Sequence, residues 1–182
     1  MPSEEECQHE KFTAEKIASL CRETTRFARF GDVEKREPDI VFTDNVLGIE
    51  VTLAYFQGDE DDPNLHPREV WRHVRNPNRP LIHRIIDQRT GRPRVWDRMV
   101  ERLQDRCQEA IDRKCLKTYE GVERTWLGIY VHAPPTEPHE LDVVAKRLVI
   151  PSVNRFERIV LLHRFNSQYR ALEIFPSIRS YV

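Results

Sequence analysis

Glycine is scarce in this chain, with 6 residues among 182. Loops that cradle phosphate groups depend on glycine, because the backbone must approach the ligand closely. The chain contains no G-x-x-x-x-G-K-[ST], G-x-G-x-x-G, H-E-x-x-H or G-x-S-x-G motif. These absences argue against P-loop and dinucleotide-binding proteins, zinc proteases of that type and serine hydrolases with a nucleophile elbow.

Cysteine is also sparse, and its spacing excludes the common metal and redox motifs. The four cysteines form no C-x-x-C pair and no paired Cys/His pattern of the zinc type. Cys7, Cys21 and Cys107 fall on or near the apolar faces of predicted helices. We therefore expect reduced, buried and inert thiols.

Long apolar runs are missing as well. No run approaches the roughly 18 residues needed to span a bilayer, and the acidic N-terminus lacks the apolar region of a secretory signal. We expect a cytoplasmic protein without membrane contact. The length of 182 residues, with 39% hydrophobic and 32% charged residues, predicts a single domain over positions 1–182.

Charge is nearly balanced overall, with a formal net charge of −1, so bulk charge does not hold this protein to nucleic acid. Arginines nevertheless crowd into the middle of the chain, where proline is also frequent. We interpret positions 57–94 as a long Arg/Pro-rich insertion. Its candidate nucleic-acid contacts are Arg68, Arg72, Arg75, Arg79 and Arg84. The alternative is a solvated loop paired with the acidic run at 59–62.

Apolar periodicity predicts the order of secondary-structure elements. Helices are expected at 4–24, at 95–118 and from about Thr136 to Leu148. Strands are expected from Pro38, at 47–56, at 125–131, at 156–165 and at 170–175. Residues 25–30 are either a first strand or an extension of the first helix. The predicted fold class is therefore α/β.

Two short apolar segments each carry one carboxylate. The first is E-P-D-I-V-F at 37–42, and the second is G-I-E-V-T at 48–52, with a turn at Asp44-Asn45 between them. Adjacent antiparallel strands would bring Asp39 and Glu50 together. Two carboxylates and a backbone carbonyl, here that of Val51, form the oxygen-rich environment that Mg²⁺ or Mn²⁺ prefers. The alternatives are an ion pair between Glu50 and an arginine, or an edge strand with Glu50 in water.

This pattern resembles the restriction-endonuclease-like nuclease superfamily, whose signature is P-D, a variable spacer and then (D/E)-x-K. Pro38-Asp39 match the first half and Glu50-Val51-Thr52 the second, with Thr52 in place of the lysine. The resemblance implies a mixed central β-sheet flanked by the helices at 4–24 and 95–118. It also implies a magnesium- or manganese-dependent nuclease that hydrolyses phosphodiester bonds, most simply of DNA. A homodimer remains open.

Because Thr52 carries no charge, the cation must come from elsewhere, and the chain has only six lysines. On the long predicted helix, Lys114 falls near the centre of the apolar stripe and Lys117 about 60° to one side. A lysine in that position must reach solvent or find an anion, and the acidic pair would supply one. We therefore predict Lys114, and next Lys117, for the displaced role. The alternative is that both complement the helix dipole.

The superfamily often adds a glutamate from the first helix, and Glu10 occupies the favourable face of the helix at 4–24. Acidic residues early in a helix are also expected for dipole reasons alone. Two other functions stay open. One is an inactive nuclease fold that binds nucleic acid, which Thr52 favours. The other is an accessory subunit that binds a protein partner through the acidic N-terminus.

Overall fold

The structure is a computed structural model that describes residues 3–55, 94–132, 138–165, 168–176 and 179–181. Its helices are α1 (Glu4–Leu20), α2 (Arg94–Cys115) and α3 (Pro138–Arg147). Its strands are β1 (Phe27–Phe30), β2 (Ile40–Phe42), β3 (Leu47–Tyr55), β4 (Arg124–His132), β5 (Arg158–Phe165), β6 (Gln168–Phe175) and β7 (Arg179–Tyr181). A 3-10 turn over Thr43–Asn45 joins β2 to β3.

These strands form one mixed sheet whose spatial order follows the chain from β1 to β7. The central strands β3, β4 and β5 are parallel, and the outer pairs on both sides are antiparallel. The parallel connections are long enough to carry helices, as parallel connections require. The α/β prediction is thereby confirmed, including a mixed sheet flanked by helices.

Helix α1 starts with a capping box at Ser3 and Glu6. The Ser3 hydroxyl accepts a hydrogen bond from the Glu6 amide at 3.2 Å, and the Glu6 carboxylate accepts one from the Ser3 amide at 2.6 Å. This contact lowers the pKa of Glu6 and fixes the start of the helix. The acidic N-terminus therefore has a local structural role as a helix start.

The buried side of α1 covers one face of the sheet. Ala14 and Ile17 pack with Ile49 and Val51 of β3 and with Trp126 of β4 in one apolar cluster. Helix α2 covers the opposite face, where Leu103 and Ile111 join Leu127, Ile129 and Ala54 in a second cluster. Odd positions of β3 therefore face α1 and even positions face α2, as the alternation of a strand requires.

Several element boundaries differ from the prediction, and one short strand was missed. Helix α1 ends at Leu20, where Arg22 turns to a φ of 61°, so residues 27–30 form a strand of their own. Helix α2 ends at Cys115, which places Lys117 in the following loop. Strand β7 was not predicted, because three residues carry too little periodicity to be recognised.

The four cysteines are free thiols, as expected. Cys21, Cys107 and Cys115 are buried, whereas Cys7 is only half-buried. Among the described residues, no helix is both long and apolar enough to cross a bilayer. The arginine-rich part of the insertion, including Arg68, Arg72, Arg75, Arg79 and Arg84, lies outside the described residues. Its predicted contact with nucleic acid stays a prediction.

Gly48 allows the β2–β3 pair to close near Asp39. It pairs with Val41, and a Cβ atom added there would lie 2.2 Å from Pro38 Cγ and 3.2 Å from the Val122 side chain. Any larger residue would therefore push against the segment that carries Asp39.

We predict that Gly48→Ala lowers the free energy of unfolding by about 1–3 kcal/mol, because the added methyl group overpacks this contact. Urea denaturation measures the loss. Val149→Ala is the control, since that side chain is 68% exposed and should change stability by less than about 0.5 kcal/mol. Equal denaturation midpoints for Gly48→Ala and wild type would contradict this prediction, because they would show that the Pro38 ring moves aside without loss of stability.

Candidate active site: a cleft with two carboxylates

Asp39 and Glu50 are brought together by the pairing of β2 with β3. Ile40 lies opposite Ile49, so Asp39, just before β2, adjoins Glu50. Asp39 Oδ2 accepts a hydrogen bond from the Val51 amide at 2.8 Å. The predicted convergence of the two carboxylates is therefore present. Local hairpin geometry produces it, because the register places both side chains on the α2 face.

Glu50 is 2% exposed, and a buried carboxylate must be compensated by a cation or by hydrogen bonds. Lys114 of α2 provides the compensation, with Nζ in direct contact with Glu50 Oε1. Lys117 Nζ lies 3.5 Å from the same oxygen. The Lys114 side chain is 11% exposed and that of Lys117 is 53% exposed. Both lysines thus lie where an ammonium group can compensate the charge of Glu50, although Lys117 approaches from the loop after α2.

Burial raises the pKa of Asp39 to about 7, and the nearby charge of Glu50 adds to the effect. The hydrogen bond from Val51 and the charge of Lys114 oppose this rise. Two carboxylates that share a site cannot both ionise freely. Asp39 therefore takes up a proton near neutral pH unless another cation joins the site.

Thr52, where the resemblance would have a lysine, is buried on the same face as Glu50. Its hydroxyl accepts a hydrogen bond from Arg113 at 3.2 Å. Helix α2 thus delivers two cations side by side, Lys114 to Glu50 and Arg113 to Thr52. Arg113 was not predicted for this site, although its position next to Lys114 was the available signal.

Glu10 of α1 lies within electrostatic reach of this cluster, because its charge helps to raise the pKa of Asp39. Burial and the charges of Glu50 and Glu6 raise the pKa of Glu10, while Lys114 opposes the rise, but no hydrogen bond links it to Asp39 or Glu50 among the described residues. Within that part of the chain, no group of three or more His, Cys, Asp or Glu side chains is placed to hold a metal ion.

The acidic pair opens into a cleft of about 410 Å³. One wall is the segment with Val33 and Glu37, and the other is the loop after α2 with Lys117 and Tyr119. Tyr119 was not singled out from the sequence, since an isolated tyrosine after a helix carries no pattern. Burial, followed by the charge of Glu50, raises the pKa of Tyr119 above its usual range, so its hydroxyl stays protonated.

The wall beside Pro38-Asp39 is held by Glu37. Its carboxylate forms an ion pair with Arg29 of β1 and accepts a hydrogen bond from the Asp32 amide at 2.9 Å. The Arg29 guanidinium and the Asp32 amide lower the pKa of Glu37 to about 2. Glu37 is therefore committed to the loop, and Asp39 and Glu50 are the carboxylates left to face a ligand in this cleft.

No family model, curated protein or solved structure matches this chain. What bears on function is therefore the chemistry of the side chains in the cleft and their contacts.

The raised pKa of Asp39 predicts a pH-dependent stability. Its folded-state value of about 7 lies above the ordinary 3.8, so the stabilisation from protonated Asp39 is complete below about pH 4 and is lost as the pH rises through about 7. Asp39→Asn, a neutral isostere, should be more stable than wild type above about pH 7 and equally stable below about pH 4.

Urea denaturation in EDTA across this pH range measures the difference. A stability difference that does not vary with pH would contradict the prediction, because it would mean that Asp39 titrates alike in the folded and unfolded chains.

Proposed function

We propose that this protein is a metal-dependent nuclease, with the Asp39–Glu50 cleft acting on nucleic-acid phosphodiester bonds, DNA in the first place. The fold would be a restriction-endonuclease-like core. The order α1–β1–β2–β3–α2–β4, with the acidic pair on β2 and β3, supports this proposal. It is the arrangement that the resemblance implies, with helices on both faces of the sheet.

One observation carries the proposal: Lys114 Nζ lies against Glu50. The signature of the superfamily places a lysine two residues after the second carboxylate, and here Thr52 occupies that position. Lys114 brings an ammonium group to the same carboxylate from the helix above it. A displaced lysine that meets the acidic pair is what an active variant of the signature requires.

The donor atoms of the cleft suit Mg²⁺ or Mn²⁺. Asp39 and Glu50 offer hard oxygen ligands, the Val51 carbonyl is the third candidate, and water would complete the coordination. Burial, and after it the charge of Glu50, raises the pKa of Asp39, so additional positive charge would favour its ionised form. A bound divalent ion would polarise the scissile phosphate and lower the pKa of a bound water.

The side chains of the chain have separate tasks in this proposal. Asp39 and Glu50 hold the ion, and the Val51 amide keeps Asp39 oriented. Lys114 orients the attacking water or stabilises the charge that develops on the phosphate. Lys117, more exposed at the mouth of the cleft, can contact a phosphate oxygen. Thr52, held by Arg113, fills the space of the missing lysine.

A second candidate is a nucleic-acid-binding module whose nuclease site is inactive. The observation that favours it is the presence of both Lys114 and Lys117 at the same Glu50 oxygen. Two ammonium groups already compensate the carboxylate, which weakens its attraction for a metal ion. Such a module would bind DNA in a salt-sensitive manner, would ignore EDTA and would tolerate Glu50→Gln.

We predict that the wild-type protein cleaves plasmid or single-stranded DNA with Mg²⁺ or Mn²⁺. Asp39→Asn and Glu50→Gln should abolish cleavage, because each removes a carboxylate ligand. Lys114→Met should lower kcat by about 100- to 1,000-fold, the usual effect of removing one donor to the transition state. Gel assays with purified variants measure these changes.

Lys146→Met is the matched control, because Lys146 is an exposed lysine at the end of α3, away from the cleft. It should cleave like wild type. Equal residual cleavage in all variants would identify a contaminating nuclease. An inert wild type that binds DNA in EDTA would favour the binding module.

We also predict that Mn²⁺ raises the Tm of the wild-type protein by about 5–10 °C at a concentration near 100 times its Kd. Asp39→Asn should lose this shift, since a neutral amide is a poor ligand. Thermal denaturation with and without Mn²⁺ measures it, and NaCl of equal ionic strength is the control. An identical shift in both proteins would place the metal elsewhere.

A further inference from the structure

The Tyr119 side chain combines a well-packed ring with a buried hydroxyl that lacks a hydrogen-bond partner among the described residues. The ring packs against Phe156, with ring centroids 5.6 Å apart, at the margin of the α2-side apolar cluster. The hydroxyl oxygen is buried and has no hydrogen-bond partner among the described residues. A phenylalanine would pack as well without this cost. The hydroxyl therefore needs an explanation other than packing.

The buried carboxylate of Glu50 lines the same cleft and is a suitable hydrogen-bond acceptor for this hydroxyl. Glu50 lies close enough that its charge and a side-chain contact with its carboxylate both raise the pKa of Tyr119, yet this contact does not reach full hydrogen-bond geometry. Lys114 and Lys117 already occupy Glu50 Oε1. The tyrosine thus stands beside a carboxylate that other donors satisfy.

We propose that Tyr119 is a positioning residue whose hydroxyl holds Glu50 when Lys114 turns from that carboxylate to a phosphate oxygen or water in the cleft. Only the nature of that ligand rests on the proposed nuclease function. Lys114 can make this change because an ammonium group carries three donors on a flexible stem. Without Lys114, the Glu50 carboxylate at 2% exposure would keep Lys117 at 3.5 Å, and a buried charge that is only partly compensated is destabilising.

The proposal predicts that the effect of Tyr119→Phe depends on Lys114. In the wild-type background the substitution should leave the Tm unchanged or slightly higher, because an unpartnered buried hydroxyl is removed. In a Lys114→Met background, where Glu50 has lost its main donor, the same substitution should lower the Tm by about 3 °C or more. Thermal unfolding of the four proteins in EDTA measures this double-mutant cycle.

Tyr169→Phe is the matched control. Tyr169 contacts Phe12 of α1 on the other side of the sheet, so its substitution should have the same effect in both backgrounds. If Lys114→Met does not fold, Lys114→Gln replaces it and should give a coupling of the same sign.

Equal effects of Tyr119→Phe in both backgrounds would overturn the proposal, because the hydroxyl would then have no access to Glu50. A lower Tm for Tyr119→Phe in the wild-type background would also overturn it, since the hydroxyl would already be bonded. Because the cycle needs no cleavage, an inert wild-type protein would contradict the nuclease function and leave this result standing.

Discussion

The burial of the Glu50 carboxylate is the constraint on which the rest of this structure depends. Strand β3 is covered by α1 on one face and by α2 on the other, so a charge at its centre is largely shielded from solvent. Lys114 meets that charge from α2. The ion pair therefore fixes how far α2 slides along β3, and the same contact places Arg113 over Thr52.

Asp39 is held to this centre by shorter-range interactions. The β2–β3 register places it beside Glu50, the Val51 amide holds its carboxylate, and Gly48 leaves room for Pro38. The preceding loop is tied to β1 through the pair of Arg29 with Glu37. One carboxylate thus depends on a hairpin and the other on a helix distant in sequence, so loss of either support would open the cleft.

Lys114 and Lys117 balance the charge of Glu50, and Arg36 also lines the cleft. In the proposed nuclease a divalent ion would compete with Lys114 for Glu50, so that binding one would release the other. If Lys114 moved away in such a competition, Glu50 would need a second hydrogen-bond donor, the role proposed for Tyr119. The competition also explains how one set of residues is compatible with either catalysis or simple anion binding. The difference lies in which cation Glu50 prefers.

The order of elements, the α/β class and the pairing of Asp39 with Glu50 were predictable, because each depends on local periodicity and turn chemistry. The contact of Lys114 with Glu50 was predicted by a different argument, that a lysine on an apolar stripe needs an anion. Periodicity tells which residues share a face of one helix or strand. It does not tell which face of the sheet that helix covers. Glu10 was suggested by the resemblance, and among the described residues it acts on Asp39 and Glu50 through its charge, without a hydrogen bond.

The end of α2, which puts Lys117 in a loop, and the roles of Arg113 and Tyr119 were likewise decided by the tertiary structure. Each depends on contacts between segments far apart in the chain. The amino-acid sequence by itself determined which charges exist and how they are spaced along each element. Only the packing of helices on the sheet decided which of those charges meet, because burial forces each carboxylate to find whatever cation the opposing element presents.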